Sequence, residues 1–202
     1  MIKKIKGVVF DNGGVFISGD RFVSENMCKL FNIPMARLSE ILKQTLPDFQ
    51  KGIISHEEFW RRFEKVSGLK LPPNYLDLWT TDFHKEAHVS DEMMDLIREL
   101  KSKGMPVIMH SNTIPPHAEF MWRVGVFKEF NVVFNSCDMN ERKPDPAFYQ
   151  KLFDKVKAKP EELLYVEDNP EFMEYQRKIG LNLIEFKSLK QLREDLKKYG
   201  VL

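Results

Sequence analysis

Residues 8–15 read Val8-Val9-Phe10-Asp11-Asn12-Gly13-Gly14-Val15. A short apolar run that stops at a carboxylate and two glycines has the form of a strand buried on both faces and followed by a sharp turn. Four later runs share that form, at 106–109, 132–134, 163–166 and 183–186. Helical patterns lie between and after them. Met93, Ile97 and Leu100 share one face, with Ser90 and Asp91 placed to open the helix and Gly104 to end it. Segments 147–156 and 172–179 also read as helices. So does the stripe Leu189, Leu192, Leu196 and Tyr199, where Ser188 and Gln191 resemble a capping box. Strands alternating with helices predict an α/β fold, a Rossmann-like and mostly parallel sheet flanked by helices.

Segment 16–88 breaks the alternation. It holds no convincing buried strand but four helical stripes. These are Val23, Met27 and Leu30; Leu38, Ile41 and Leu42; Phe59, Phe63 and Val66 behind a Ser55–Glu58 capping box; and Tyr75, Leu78 and Trp79 after Pro72-Pro73. The prediction is a small helical domain at 16–88 inserted after the first strand, on a core made of 1–15 and 89–202. A chain of 202 residues with 16 Phe can bury one such core and a modest insertion. The balance of 31 Lys+Arg against 30 Asp+Glu argues against gripping nucleic acid or an anionic membrane by bulk charge. No apolar run approaches the roughly 18 residues of a membrane helix. Residues 1–11 lack the apolar stretch of a signal peptide. Cys28 and Cys137 fit neither a disulfide framework nor a metal-ligand spacing. The expectation is a soluble protein of a reducing cytoplasm, with no nucleic-acid or membrane partner and an oligomeric state that the sequence does not disclose.

Ligands of open α/β sheets sit outside the carboxyl ends of the strands. Polar residues stand there at four places: Asp11; Ser111-Asn112; Lys143 within Arg142-Lys143-Pro144-Asp145; and Glu167-Asp168. Singly, each has a plain structural explanation as a turn former, a helix cap or a surface lysine. Together they bring a carboxylate, a hydroxyl, an ammonium and an acidic pair to strand ends in one chain.

That set resembles the haloacid dehalogenase (HAD) superfamily on its phosphatase side, over nearly the whole chain. The family's strand followed by Asp-x-Asp-Gly is matched at residues 8–15, its strand-end Ser/Thr by Ser111, its lysine by Lys143, and its acidic pair by Glu167-Asp168. The helical insertion resembles a C1-type cap. The branch with Asp-x-Gly in the first motif is the most similar, and it includes hexose-1-phosphate phosphatases and the N-terminal phosphatase domain of epoxide hydrolases. The resemblance implies that Asp11 attacks phosphorus to form an aspartyl-phosphate. It implies Mg²⁺ held by Asp11, the Gly13 carbonyl and Asp168, with Glu167 binding directly or through water. It implies that Lys143 and Ser111 support the phosphoryl oxygens, that Asn112 shapes the phosphate pocket, and that the partner is a small phosphorylated metabolite.

The departure is Gly13, where most relatives carry a second Asp that protonates the leaving group and activates water. Such help is typically worth about 10²–10⁴-fold. A slow enzyme follows, or one restricted to good leaving groups such as the anomeric oxygen of a sugar 1-phosphate. His110, His117, Asp20 and Glu25 are the substitutes in reach of the argument. Strand alternation points His110 away from the pocket. Phe172 follows the acidic pair where many relatives have Asn, and reads as a packing residue. Two other functions stay open. A metal-free haloacid dehalogenase shares the Asp and Lys but gives the acidic pair no purpose. A non-catalytic phosphometabolite-binding protein is permitted by Gly13.

Overall fold

The computed structural model describes residues 4–17 and 20–202. The first strand, β1 (Gly7–Phe10), is wholly buried. Segment 16–88 then supplies four helices, α1 (Asp20–Phe31), α2 (Met35–Gln50), α3 (His56–Ser67) and α4 (Asp77–Glu86). The alternating part then runs α5 (Asp91–Ser102), β2 (Val107–Ser111), α6 (Pro115–Arg123), β3 (Val132–Asn135), α7 (Ser136–Met139), α8 (Pro146–Val156), β4 (Leu163–Glu167), α9 (Pro170–Lys178), β5 (Asn182–Glu185) and α10 (Leu189–Lys198). The five strands form one parallel sheet in the order β3-β2-β1-β4-β5.

Alternation in the central strands feeds two separate cores. Val8 and Phe10 of β1 join Val107, Met109, Leu164 and Val166 on one face. Val9 joins Ile108, Leu163 and Tyr165 on the other, under Phe148 and Leu152 of α8. Both faces are therefore covered, as continuous apolar strands require. The strand order reverses at β1, with β2 on one side and β4 on the other, so the carboxyl end of β1 opens onto a crevice.

The sequence placed the ends of β2 and β4 too early. Ser111 and Glu167 are the last strand residues, paired with Asn135 and Glu185. A parallel partner on one side, β3 for Ser111 and β5 for Glu167, keeps each in the ladder, so the polar side chains ride on sheet, not on loops. The caps agree with the sequence: Ser55, Ser90 and Ser188 each accept from a backbone N–H of the first turn.

The four inserted helices share an aromatic interior. Phe49 of α2 stacks on Phe59 of α3 at 4.9 Å, and Trp60, Phe63 and Trp79 pack around them. Each fully buried aromatic of this kind stabilises by about 1.5–3 kcal/mol. The interior is continuous with one face of the sheet. Phe83 of α4 stacks on His117 of α6 at 3.5 Å.

The turn after α2 is fastened to the far side of the crevice. Ser136 Oγ lies 2.6 Å from the Gln50 carbonyl, Asn140 Nδ2 donates to the Lys51 carbonyl at 2.9 Å, and Lys51 Nζ pairs with Asp145 at 2.6 Å. Gly52 sits at φ +66 with its α-carbon against the Cys137 carbonyl, so a Cβ there would overlap that oxygen. Gly52→Ala is expected to lower stability by at least about 1–2 kcal/mol from the left-handed backbone alone, measured by urea unfolding. An unchanged midpoint would contradict this docking.

Candidate active site

Asp11 follows β1, Lys143 lies on the turn between α7 and α8, and Glu167 ends β4 with Asp168 next to it. Lys143 is fully buried, and its Nζ lies 2.8 Å from Asp11 Oδ1 and 2.8 Å from Glu167 Oε2. Carboxylate oxygens of Asp11, Glu167 and Asp168 all lie within 4.8 Å of one another. Asp11, Lys143 and the Glu167-Asp168 pair thus converge from three distant parts of the chain.

Glu167 is saturated with donors. Oε2 accepts from Lys143 at 2.8 Å and from Gln176 Nε2 at 3.1 Å. Oε1 accepts from the backbone N–H groups of Asp168 and Asn169, both at 3.2 Å. Asn112 clamps the lysine from its main chain: the Lys143 N–H donates to Asn112 Oδ1 at 2.7 Å, and Asn112 Nδ2 donates to the Lys143 carbonyl at 2.9 Å. Asn112 lines the crevice, but both ends of its amide support Lys143. Ser111 is buried, and its Oγ has no protein hydrogen-bond partner. Gly13 lines the crevice with Asp11 and Asp168.

Gly14 lets Asp168 come this close. It sits at φ +73, and a Cβ on it would overlap the Asp168 carboxylate. Glycine alone meets both demands at low cost.

Charge balance inside the group is lopsided, with three carboxylates around one ammonium. Burial pushes the Asp11 carboxyl upward, and Glu167 adds to that, while Lys143 pulls it down. Burial and the neighbouring Glu167 push Asp168 up to about 6. Desolvation alone would depress Lys143, but Asp11 and Glu167 outweigh it and raise the ammonium. Oxygen donors with excess negative charge are what a hard divalent cation such as Mg²⁺ requires. The residues present fit that ion.

Two cavities meet here. An open crevice of about 660 Å³ exposes Asp11, Asp168, Arg142 and Phe172. A more enclosed cavity of about 190 Å³ lies between α2, α4 and the start of α6. Gly13, Gln50 and Asn112 line both. Phe172 is a wall of the crevice, with its ring centre 5.0 Å from Lys143 Nζ, and not packing beneath the sheet.

The substitutes for the missing acid fare differently. His110 points away, as alternation predicted. It is fully buried, with Nδ1 2.8 Å from the Tyr165 hydroxyl and its ring stacked on Phe148. His117 is buried at the enclosed cavity, and burial pushes its imidazole down to about 3. A neutral ring of that kind cannot serve as the acid near neutral pH. Glu25 is absent from the described lining of either cavity. The side chain of Asp20 lies outside the described residues.

Sequence reasoning missed Gln176. It is fully buried beside Met173, and also donates to the Tyr149 hydroxyl at 3.3 Å. An amide on the apolar stripe of α9 was the available signal.

Two outcomes test these electrostatics. Gln176→Leu removes a donor from a buried carboxylate and is expected to cost about 1–3 kcal/mol, read by denaturant unfolding. Asp168 binds its proton more tightly folded than unfolded, so it destabilises the fold increasingly as pH rises from 3.8 to about 6 and fully above that. In chelator at pH 7.5, Asp168→Asn is therefore expected to melt higher than wild type. A lower melting temperature would contradict the charge excess.

A family model for haloacid dehalogenase-like hydrolases matches residues 5–171. Bifunctional epoxide hydrolase 2 of Sus scrofa is 27% identical over 142 residues, which are 67% of this chain and 26% of that protein. The chain thus spans about a quarter of that relative. Flavin mononucleotide hydrolase 1 of Arabidopsis thaliana, a chloroplast protein, is 24% identical over 180 residues, 85% of this chain and 69% of the relative. The HAD family enzyme BT-2542 of Bacteroides thetaiotaomicron, solved in complex with magnesium and inorganic phosphate, superposes with a TM-score of 0.73 at 22% identity, covering 92% of this chain and 96% of the other. The fold is shared, and the family model spans most of the sequence: the chain belongs to the haloacid dehalogenase-like hydrolases.

Proposed function

We propose that the chain is a Mg²⁺-dependent phosphomonoester hydrolase acting on a small phosphorylated metabolite, with a sugar 1-phosphate as the favoured substrate. The observation that carries this reading is the buried Lys143 ammonium set between Asp11 and Glu167 inside a three-carboxylate group. The phosphate-bound magnesium complex of the Bacteroides enzyme and the hydrolase activity named for the Arabidopsis relative support it.

Asp11 and Asp168 would hold the cation, with the Gly13 carbonyl as a further donor. Glu167 already accepts four hydrogen bonds, so it would serve as the counter-ion to Lys143 and not as a direct ligand of the ion. When bound, Mg²⁺ supplies the positive charge that lets a carboxylate approach a phosphate dianion. Asp11 attacks phosphorus through the oxygen that Lys143 leaves free, and the bond to the leaving oxygen breaks. Lys143 fixes the direction of attack and offsets charge on the phosphoryl oxygens. The Ser111 hydroxyl, without a partner in the protein, donates to one of them. Water then releases phosphate from Asp11. No side chain at Gly13 protonates the leaving oxygen, so it takes its proton from solvent. An anomeric oxygen tolerates this better than an ordinary sugar hydroxyl. Segment 16–88 acts as the cap that shields this chemistry from bulk water.

A metal-free dehalogenase leaves the carboxylate excess uncompensated, and we set it aside. A binding protein without turnover is the other reading that Gly13 favours.

Hydrolysis of p-nitrophenyl phosphate separates these readings, because its leaving group needs little protonation. Phosphate release is expected with Mg²⁺ and not with chelator. Asp11→Asn is expected to reduce it by at least about 10³-fold. Glucose 1-phosphate is expected to turn over faster than glucose 6-phosphate. Equal inertness of wild type and Asp11→Asn would favour the binding protein, and turnover in chelator would remove the cation from the account.

A further inference from the structure

The enclosed cavity has a chemistry of its own. Leu46 reaches it from α2, Trp79 and Phe83 from α4, and Ile114 and His117 from the segment after β2. Among the described residues that line it there is no Lys, Arg, Asp or Glu. His117 adds no charge, because its deep burial keeps it neutral; it is hydrogen-bonded to the Trp79 backbone and stacked on Phe83. The cavity joins the carboxylate crevice at Gly13, the residue directly beyond the nucleophile's neighbour.

A buried oxygen there has no partner. Asn12 is 4% exposed, lines the cavity, and its Oδ1 accepts no hydrogen bond from the protein. A carboxamide oxygen can only accept, so its partner must bring an O–H or N–H. Leaving such a group unmet is costly, and native interiors seldom do so without a ligand or water.

We propose that this cavity holds the non-phosphate part of the substrate, and that this part is an uncharged, hydroxyl-bearing ring or short polyol. The inference rests on the phosphatase reading and specifies its substrate. A charged group would be stripped of water with no counter-ion to meet it. A purely hydrocarbon group would leave Asn12 Oδ1 unmet. A hydroxyl donates to that oxygen, while the C–H faces of the ring pack on Trp79 and Phe83. At about 190 Å³ the cavity falls below the roughly 300–1,000 Å³ of drug-sized pockets, which limits the occupant to a single small moiety.

The test compares kcat/KM for glucose 1-phosphate, glucuronic acid 1-phosphate and glucosamine 1-phosphate on the wild-type protein with Mg²⁺. The neutral sugar is expected to lead both charged analogues by at least about 100-fold. Leu46→Lys, which brings a cation into the cavity, is expected to narrow or reverse the gap to the glucuronic acid compound. Charged analogues equal to or better than glucose 1-phosphate on wild type would overturn the proposal, whatever the fate of the Lys variant. The p-nitrophenyl phosphate assay distinguishes the two levels. Activity there with a charged-sugar preference sinks only this inference. Without turnover of any ester the phosphatase reading falls, and calorimetric titration with the same three compounds then decides on the cavity. Tighter binding of the neutral sugar supports the proposal, and equal or weaker binding overturns it.

Discussion

A fully buried ammonium cannot stand alone. Lys143 is tolerated in the interior because Asp11 and Glu167 each approach its Nζ to 2.8 Å. That requirement joins three distant stretches of chain at the carboxyl ends of β1 and β4. It also sets roles within the acidic pair. Glu167 is fixed from four sides and acts as the permanent counter-ion, whereas Asp168 stays exposed and raised toward about 6. The surplus of negative charge is the feature that calls for a cation.

Support for the pair comes from residues within the recognisable motifs and from one outside them. Asn112 holds the lysine by its main chain, Gln176 holds Glu167 from behind, and Gly14 opens the space that Asp168 occupies. Each is a contact between side chain and backbone or between two elements, and each would be felt at Asp11 if lost. The same economy appears in segment 16–88. The turn after α2 is tied to α7 and the residues beyond it by Ser136, Asn140 and Asp145, which places Gln50 where the crevice and the enclosed cavity meet.

The sheet and its ligand-bearing edge were legible because buried parallel strands leave continuous apolar runs, and polar residues stand out where those runs stop. The four helical stripes of segment 16–88 were legible by period, and α1 to α4 fall on them. The strand ends were misjudged because Ser111 and Glu167 look like loop residues while neighbouring strands keep their backbones in the ladder. Gln176 left only a faint signal, an amide on the apolar stripe of α9, and the unpartnered Asn12 oxygen left none. Their significance comes from what packs beside them, and hydrogen-bond partners scattered along the chain leave no periodic trace. Phe172 was read as a packing residue for the same reason: sequence shows that a side chain is apolar, not which wall it forms.

The central claim is that these carboxylates cage a divalent cation beside Lys143. Calorimetric titration of Mg²⁺ at pH 6, in buffers of different ionisation enthalpy, tests it most directly. The account expects one ion per chain with release of protons, because burial and Glu167 raise the Asp168 carboxyl to about 6, and the cation must displace the proton it holds there. Absence of saturable binding, or binding without proton release, would contradict it.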